Sequence, residues 1–190
     1  MRTLVFFLEE PSAREMLEGV LPRLLPNEIQ VRYHVFQGKQ DLEKNLLRKL
    51  RGWTTVNSFF VIMRDQDLGD CKAIKAKLVE LCSLAGHTNL LVRIACKELE
   101  SFYLGDLNAV EQALNIKGIK KLQQKRKYKD PDSLSYPSNE LSTLTGNKYQ
   151  KISGSRAISP LLNIQQNQSK SFNVLISGIL NLIVPPLEAP

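Results

Sequence analysis

Apolar residues along the chain form short runs of strand length, separated by longer stretches in which they recur at helical spacing. The strand-length runs cover residues 3–8, 58–63 and 89–95, and apolar and polar residues alternate over 29–35 as in a half-buried strand. The helical stretches cover residues 11–21, 39–50, 70–84 and 97–114. The run FFVIM within 58–63 is continuously apolar, as in a central strand buried on both faces. The order β-α-β-α-β-α-β-α predicts an α/β, Rossmann-like domain with a mostly parallel sheet flanked by helices.

The pattern changes after residue 115. Residues 116–129 predict a basic helix or arm, residues 130–146 predict a loop rich in Pro, Ser, Thr and Asn, and residues 153–162 and 170–182 predict short helices. This part is too small for an independent core, so we expect it to pack on the sheet. The predicted organisation is an α/β core over residues 1–115 and a basic α-helical extension over residues 116–190.

Basic charge is concentrated in this extension. The chain has a net charge of +7; residues 1–111 contain 15 basic and 15 acidic side chains, whereas residues 112–190 contain 11 and 4. Such asymmetry indicates either a polyanionic partner or a solvated basic face. The candidate phosphate contacts are Lys120, Lys121, Lys125, Arg126, Lys127, Lys151 and Arg156. Tyr128 offers a ring for base stacking in the same run.

Composition disfavours several classes of protein. Apolar residues make up 43% of the chain, which is enough for a sizeable core. No apolar run reaches the roughly 18 residues of a membrane span. The three cysteines lack a CxxC pair, which argues against a disulfide framework or a zinc knuckle. The N-terminus turns acidic too early for a secretory signal. We therefore expect a soluble, cytoplasmic protein with no membrane partner, and leave open whether it forms a homo-oligomer.

Acidic residues follow three of the four predicted strands. They are Glu9 and Glu10 after the first strand, Asp65 and Asp67 after the third, and Glu98 and Glu100 after the fourth. Parallel strands end at one edge of a sheet, so these carboxylates should converge there. Their mutual repulsion would be relieved by a hard divalent cation, Mg²⁺ or Mn²⁺.

The DxD spacing of Asp65 and Asp67 has a mechanical reason, because alternate residues of an extended backbone point to the same side. Two metal ions roughly 4 Å apart can stabilise the attacking and leaving oxygens of phosphodiester hydrolysis. The competing interpretation is a set of solvated surface acids. Glu98 and Glu100 do not share one helical face, which leaves a merely structural role open for one of them.

This arrangement resembles a Toprim domain, the metal-binding module of topoisomerases, primases and OLD-family nucleases. The module places a Glu after its first strand and DxD after a later hydrophobic strand, and Glu9, Asp65 and Asp67 occupy these positions. The segment RIACKELESFYLGD is similar to the E-x-E-aromatic segment of Toprim-like proteins in bacterial defence systems, with Glu98 and Glu100 as the matching residues. The resemblance implies catalytic roles for these five carboxylates.

The same resemblance implies that Glu9, Asp65 and Asp67 bind the metal, but the chain departs from the Toprim pattern at one position. Glu10 stands where the module usually has Gly, and a bulky residue restricts a tight backbone turn. Glu10 therefore adds a further metal ligand, or the site has a different geometry.

Most of the chain also resembles an uncharacterised prokaryotic Toprim-like family, a domain of unknown function related to OLD-family nucleases. Its members are often encoded beside ABC- or AAA-type ATPases. The matching stretches are EEPSAREMLEGVLPRLLP, FQGKQDLEKNLLRKLRGW, MRDQDLGDCKAIKAKL, RIACKELESFYLGDLNAV and YQKISGSRAIS. The resemblance implies a nuclease-like partner of an ATPase in anti-phage defence.

Three functional hypotheses follow. The first is a Mg²⁺- or Mn²⁺-dependent nuclease acting on nucleic acid, with DNA expected although the sequence does not separate DNA from RNA. The second is a non-catalytic sensor or assembly subunit that docks on an ATPase. The third is a phosphoacceptor receiver domain, which would need a Thr or Ser after a later strand. Thr88 precedes its strand, so the third hypothesis ranks last.

Overall fold

A computed structural model of the protein describes residues 2–87 and 89–183. Its strands are β1 (Arg2–Leu8), β2 (Ile29–Val35), β3 (Ser58–Asp65) and β4 (Leu90–Ala95). Its α-helices are α1 (Pro11–Val20), α2 (Lys39–Arg51), α3 (Cys71–Leu84), α4 (Glu100–Leu104), α5 (Leu107–Ala113), α6 (Pro137–Leu144), α7 (Lys151–Ile158) and α8 (Lys170–Ile183). Short 3-10 turns cover Leu21–Arg23, Lys120–Gln124, Arg126–Tyr128, Pro131–Ser133 and Ser159–Leu161.

The four strands form one parallel sheet in the order β2-β1-β3-β4. Leu8 at the end of β1 pairs with Val35 of β2 and with Met63 of β3, and Asp65 pairs with Ala95 of β4. All four strands therefore end at the same edge, which we call the carboxyl edge. The predicted α/β class, with a parallel sheet flanked by helices, is confirmed.

Two hydrophobic cores cover the faces of the sheet. Leu4, Phe6 and Leu8 of β1 point into the larger core, which is built with α1, α4, α5, α7 and α8. Val5 and Phe7 point into the smaller core, which is built with α2 and α3. This alternation follows from the two-residue period of a strand, and it explains why β1 is apolar along its whole length.

Helices from the last third of the chain pack on this sheet. α7 packs along α1, and α8 packs on β4. Tyr149, Ile158 and Phe172 are buried in the larger core together with residues of β1. Residues of the extension therefore pack against the sheet. The division of the chain at residue 115 stays a prediction.

The structure corrects several predicted elements. Residues 97–114 do not form one helix, because Asp106 ends the first segment and caps α5 by accepting the N–H of Ala109 at 3.1 Å. The basic stretch 116–129 forms 3-10 turns and not an α-helix, and the predicted loop 130–146 contains α6. In the described part of the chain, no helix is long and apolar enough to cross a membrane.

Candidate active site

The ends of β1 and β3 are joined at the carboxyl edge by the side chain of Glu9. The backbone N–H of Glu9 donates to the carbonyl oxygen of Met63 at 3.3 Å, which extends the strand pairing by one residue. Glu9 Oε2 then accepts the backbone N–H of Asp65 at 3.0 Å. The structure therefore brings Glu9 and Asp65 together, as their positions after neighbouring strands predict.

Asp65 lies in the most acidic part of this edge. Its side chain is buried, with only 8% of the residue exposed. Burial raises the pKa of Asp65 well above its ordinary value, and the negative charges of Glu10, Glu100 and Glu9 raise it further. Four carboxyl groups thus act on one another here. The positive charge of Lys151 opposes this repulsion, and a bound cation would reduce it further.

Asp67 faces a different set of groups. Its backbone has a φ of 53°, and its N–H donates to the carbonyl oxygen of Lys97 at 2.7 Å. Lys97 has a φ of 59°, so both residues adopt the left-handed conformation that side chains disfavour. The extended backbone that we expected for DxD ends at Asp65. The carboxylate of Asp67 instead lies 2.7 Å from Lys39 Nζ.

Arg64 lies between the carboxylates of Glu9 and Asp67, and this role was not predicted from the sequence. The guanidinium is 5% exposed, lies 3.8 Å from Glu9 and 4.0 Å from Asp67, and pairs with Glu43 at 2.5 Å. Its Nε also donates to the carbonyl oxygen of Asp65 at 3.0 Å. An arginine at the end of an apolar strand is a signal of a buried ion pair, because burial without partners costs several kcal/mol.

Lys151 brings a positive charge from the extension to the other side of the site. Its Nζ lies 2.8 Å from Glu10 Oε2, and Ser12 donates to Glu10 Oε1 at 2.6 Å. Partial burial opposes the charged form of Lys151, but the hydrogen bond and charge of Glu10 outweigh it and raise the pKa of the lysine. Lys151 therefore stays protonated beside the acidic group.

Glu98 and Glu100 point to different places. Glu98 Oε2 accepts the backbone N–H of Ser138 at 2.7 Å, in the first turn of α6. Glu100 is fully buried, and its Oε1 accepts the Tyr149 hydroxyl at 2.9 Å. Burial raises the pKa of Glu100, partly offset by Lys151 and by the hydrogen bond from Tyr149. Glu100 Oε2 finds no hydrogen-bond partner among the described residues.

The predicted nucleic-acid contacts are dispersed. The exposed basic residues in and between the two 3-10 turns Lys120–Gln124 and Arg126–Tyr128 are Lys120, Lys121, Lys125, Arg126 and Lys127. Lys127 pairs with Glu140 at 2.6 Å, and the hydroxyl of Tyr128 donates to the same carboxylate at 2.5 Å. Tyr128 is only 5% exposed, so its ring packs in the core and the predicted stacking role is wrong. Arg156 pairs with Glu15 at 2.7 Å and joins α7 to α1.

A cleft of about 600 Å³ opens beside the site. Its lining includes the charged residues Lys39, Arg64, Asp67 and Glu98, together with Tyr136. The cleft contains both basic and acidic side chains. The basic side chains suit a phosphate group, and the acidic side chains suit a cation bound beside it. Lys39 and Tyr136 were not predicted, because the first lies on a helix far from the acidic motifs and the second in an expected loop.

A divalent cation fits the donor chemistry of this edge. The available donors are hard carboxylate oxygens, and Glu100 Oε2 is a buried oxygen whose hydrogen-bonding capacity is unused by residues 2–87 and 89–183. Over the same residues, no three His, Cys, Asp or Glu side chains stand close enough to form a ready metal site. Asp67 and Glu10 pair with Lys39 and Lys151, so either carboxylate would have to leave its lysine to bind an ion.

Comparisons with known proteins agree with this architecture. The structure is similar to a solved structure of the C-terminal region of the Burkholderia pseudomallei OLD protein, with a TM-score of 0.58 and 14% sequence identity. The match covers 95% of this chain and 98% of that chain, and at this identity it shows a shared fold. No curated protein matches the chain. The family described as "Domain of unknown function (DUF4276)" matches residues 8–180.

Proposed function

The chain belongs to the DUF4276 family, and from this premise and the acidic edge we propose that it is a Mg²⁺- or Mn²⁺-dependent nuclease that hydrolyses phosphodiester bonds. The observation that carries the proposal is the hydrogen bond from the backbone N–H of Asp65 to Glu9 Oε2, at 3.0 Å, which places both residues in a group of carboxyl side chains that act on one another. Self-repelling carboxylates near a core are costly, and a function that binds cations explains their presence. The Toprim resemblance supports the same conclusion.

Glu9, Asp65 and Asp67 would hold the metal, with Glu10 as a further candidate ligand. A bound divalent ion would supply an activated water and would neutralise charge on the phosphate. Arg64 would keep Glu9 and Asp67 oriented through its contacts with both carboxylates. Lys151 would become available to a substrate phosphate whenever Glu10 turns to a metal ion.

Glu98 and Glu100 take separate parts in this proposal. Glu98 lines the cleft and would position water or substrate there. Glu100 is fully buried and would support the site through its electrostatic effect on Asp65, while Tyr149 fixes its orientation. The exposed lysines and Arg126 of residues 120–127 would contact the phosphate backbone of the nucleic acid, for which DNA is the expected polymer.

The setting of the reaction is also part of the proposal. The family resemblance supports an ABC- or AAA-type ATPase as partner, an anti-phage role and a cytoplasmic location. The similarity to the OLD C-terminal region supports a fold that can be joined to other modules, because the matched structure is itself a region of a larger protein. Copurification of the tagged chain from its native host, with and without ATP, would test the partner.

The nuclease proposal is tested by comparing Asp65→Asn with Asp70→Asn. Asp70 caps α3 by accepting the N–H of Ala73 at 2.7 Å, and Asn caps a helix as well as Asp does. Both variants therefore lose one negative charge from the same loop region, but only Asp65 belongs to the acidic group. Calorimetry with Mn²⁺ and Mg²⁺ measures metal binding, and labelled single- and double-stranded DNA and RNA report cleavage.

We expect Asp65→Asn to lose metal binding and to reduce cleavage by at least 10²-fold, while Asp70→Asn keeps both within a few-fold. Equal cleavage by the wild type and Asp65→Asn would reject this site, since the activity would then arise elsewhere or from a contaminant. Thermal melting of each variant without metal checks that the fold is retained.

A non-catalytic sensor or assembly subunit is the second candidate. It is favoured by the lysine partners of Asp67 and Glu10, since these pairs neutralise the edge without any metal. Absence of metal binding at millimolar concentrations, together with tight binding to an ATPase, would establish it in place of the nuclease. Thr88, on which the receiver-domain hypothesis depends, lies outside the described residues.

A further inference from the structure

Two surface cavities meet at one exposed aromatic residue. The first is the cleft of about 600 Å³ that contains Asp67 and Glu98. The second, of about 310 Å³, is lined by Lys127 and Asn139. Ser135 and Tyr136 line both, so they form the ridge between the acidic edge and the basic stretch of residues 120–127.

Tyr136 is exposed but held on a firm support. The residue is 58% exposed, which is unusual for a large aromatic side chain in this structure. Its carbonyl oxygen accepts the N–H of Glu140 and begins α6, and Pro137 occupies the first position of that helix. Proline restricts the backbone there. The backbone that carries the ring is therefore restricted. The ring itself does not pack in the core, and the side chain makes no capping hydrogen bond to the helix.

The groups on each side of this ring carry complementary chemistry. Lys39 and Arg64 line the first cavity together with the carboxylates, and Lys127 lines the second together with its ion-pair partner Glu140. Single-stranded nucleic acid is bound by positive groups that follow its backbone and by aromatic rings on which its bases stack. A duplex keeps its base faces stacked on one another, so an intact duplex cannot use such a ring.

We propose that Tyr136 is a stacking platform for a base of single-stranded nucleic acid, whose backbone runs from the basic stretch of residues 120–127 to the acidic edge. This inference specifies the substrate of the proposed nuclease, and it rests on that proposal for the assignment of the cleft to nucleic acid. A volume of about 600 Å³ lies within the range of ligand-sized pockets, about 300–1,000 Å³. The cleft is therefore large enough for one flipped or unpaired nucleotide.

The test measures binding without hydrolysis. Fluorescence anisotropy in EDTA gives the affinity of the full chain for a labelled 12-nucleotide oligo-dT and for a blunt duplex of equal length. The variants are Tyr136→Ala, which removes the ring, and Tyr136→Phe, which keeps it. Val56→Ala is the matched control, because Val56 is 78% exposed just before β3, at the opposite edge of the sheet.

We expect Tyr136→Ala to weaken binding of the single strand by about tenfold, corresponding to about 1.4 kcal/mol of stacking, with duplex binding unchanged. Tyr136→Phe and Val56→Ala should bind within about twofold of the wild type. Equal affinity of Tyr136→Ala and the wild type for oligo-dT would overturn the platform, as would equal losses for both ligands. A protein-docking role for Tyr136 would produce the first of these results.

The same samples separate this inference from the nuclease proposal. Because binding is measured in EDTA, the Tyr136 comparison stands whether or not the chain hydrolyses nucleic acid. Loss of cleavage in Asp65→Asn with normal binding by Tyr136→Ala would retain the nuclease and reject the platform. Selective loss of single-strand binding in Tyr136→Ala, without metal-dependent cleavage by the wild type, would retain the platform and reject the nuclease.

Discussion

Glu9 accepts the backbone N–H of Asp65 across the ends of two neighbouring strands, with 3.0 Å between Glu9 Oε2 and the Asp65 nitrogen. One carboxylate thus closes the pairing of β1 with β3 and takes part in the acidic group. Arg64 lies 3.8 Å from the same oxygen. Burial nevertheless raises the pKa of Glu9, although the N–H of Asp65 and the charge of Arg64 both act to lower it. Glu9 therefore has a structural and an electrostatic role that substitutions can separate.

Glu9→Ala should lower the free energy of unfolding by about 1–3 kcal/mol, because it leaves a buried N–H without its acceptor. Glu9→Gln keeps an oxygen that can accept this hydrogen bond, so its loss should be clearly smaller. Both variants remove the charge and should weaken Mn²⁺ binding alike. Urea unfolding in EDTA and calorimetry with Mn²⁺ measure the two effects. Equal stability of the Ala and Gln variants would contradict the structural role of the hydrogen bond.

The pH dependence of stability should report the raised pKa of Asp65. Its folded-state pKa is raised by burial and by the neighbouring carboxylates, so the folded protein retains a proton that the unfolded chain loses near pH 4. This stabilising contribution is complete below about pH 4 and is lost as the pH rises through the folded-state pKa. In EDTA, the unfolding free energy of the wild type should therefore fall as the pH rises above about 4.

Asp65→Asn should flatten this dependence, since the amide does not titrate. The two stability curves should diverge by about 1 kcal/mol or more across that range, as one unit of pKa corresponds to about 1.4 kcal/mol. Part of the slope should remain, because burial also raises the pKa of Glu9 and Glu100. Urea unfolding at four pH values gives the curves. Parallel curves for the two proteins would show that Asp65 titrates normally.

Metal affinity should show the opposite trend with pH. A metal ion needs the ionised carboxylate, so binding to Asp65 must displace the proton that the raised pKa retains. We expect Mn²⁺ affinity to increase from pH 6 to pH 8 and binding to release protons. Calorimetry in two buffers with different ionisation enthalpies counts those protons. A pH-independent affinity without proton release would place the metal away from Asp65.

The strand pattern predicted the fold because the central strands β1 and β3 are buried on both faces and the edge strands are partly buried, so their apolar residues leave a direct trace in the sequence. It also predicted that Glu9 and Asp65 would meet, since parallel strands end at one edge. Arg64, Tyr136 and Tyr149 were missed for a physical reason. Arg64 and Tyr149 have their roles through contacts with distant segments, and local spacing carries no information about which distant segment a side chain will touch. Tyr136 lies at a cavity rim that only the folded chain creates.

Tyr149 supports the buried carboxyl group of Glu100 from the extension. Its hydroxyl donates to Glu100 Oε1 at 2.9 Å, and Gly154 leaves room for its ring, because a Cβ at residue 154 would lie 2.5 Å from a ring carbon. Tyr149→Phe would leave both oxygens of Glu100 without a hydrogen-bond partner in the described structure. We expect a loss of about 1–3 kcal/mol in the free energy of unfolding.

Tyr128→Phe provides the control for this loss, because Tyr128 also donates to a carboxylate but its partner Glu140 keeps Lys127 as an ion-pair partner. Its cost should be about 1 kcal/mol or less. In the double variant Tyr149→Phe/Glu100→Gln, part of the loss should be recovered, since no charge then needs a donor. Additive effects of the two substitutions would show that Tyr149 and Glu100 are not coupled.

The salt dependence of binding should locate the phosphate contacts. Lys125 and Arg126 are exposed just before Lys127. Lys49 and Arg51 lie at the end of α2, at the opposite edge of the sheet. Lys125→Ala/Arg126→Ala should lower the slope of log affinity against log salt for oligo-dT by about 1 to 1.5, as expected for two lost single-strand phosphate contacts. Lys49→Ala/Arg51→Ala removes the same charge and should leave the slope unchanged. Equal slopes for the two double variants would mean that the basic stretch acts only through net charge, and the backbone would then have to reach the acidic edge by another path.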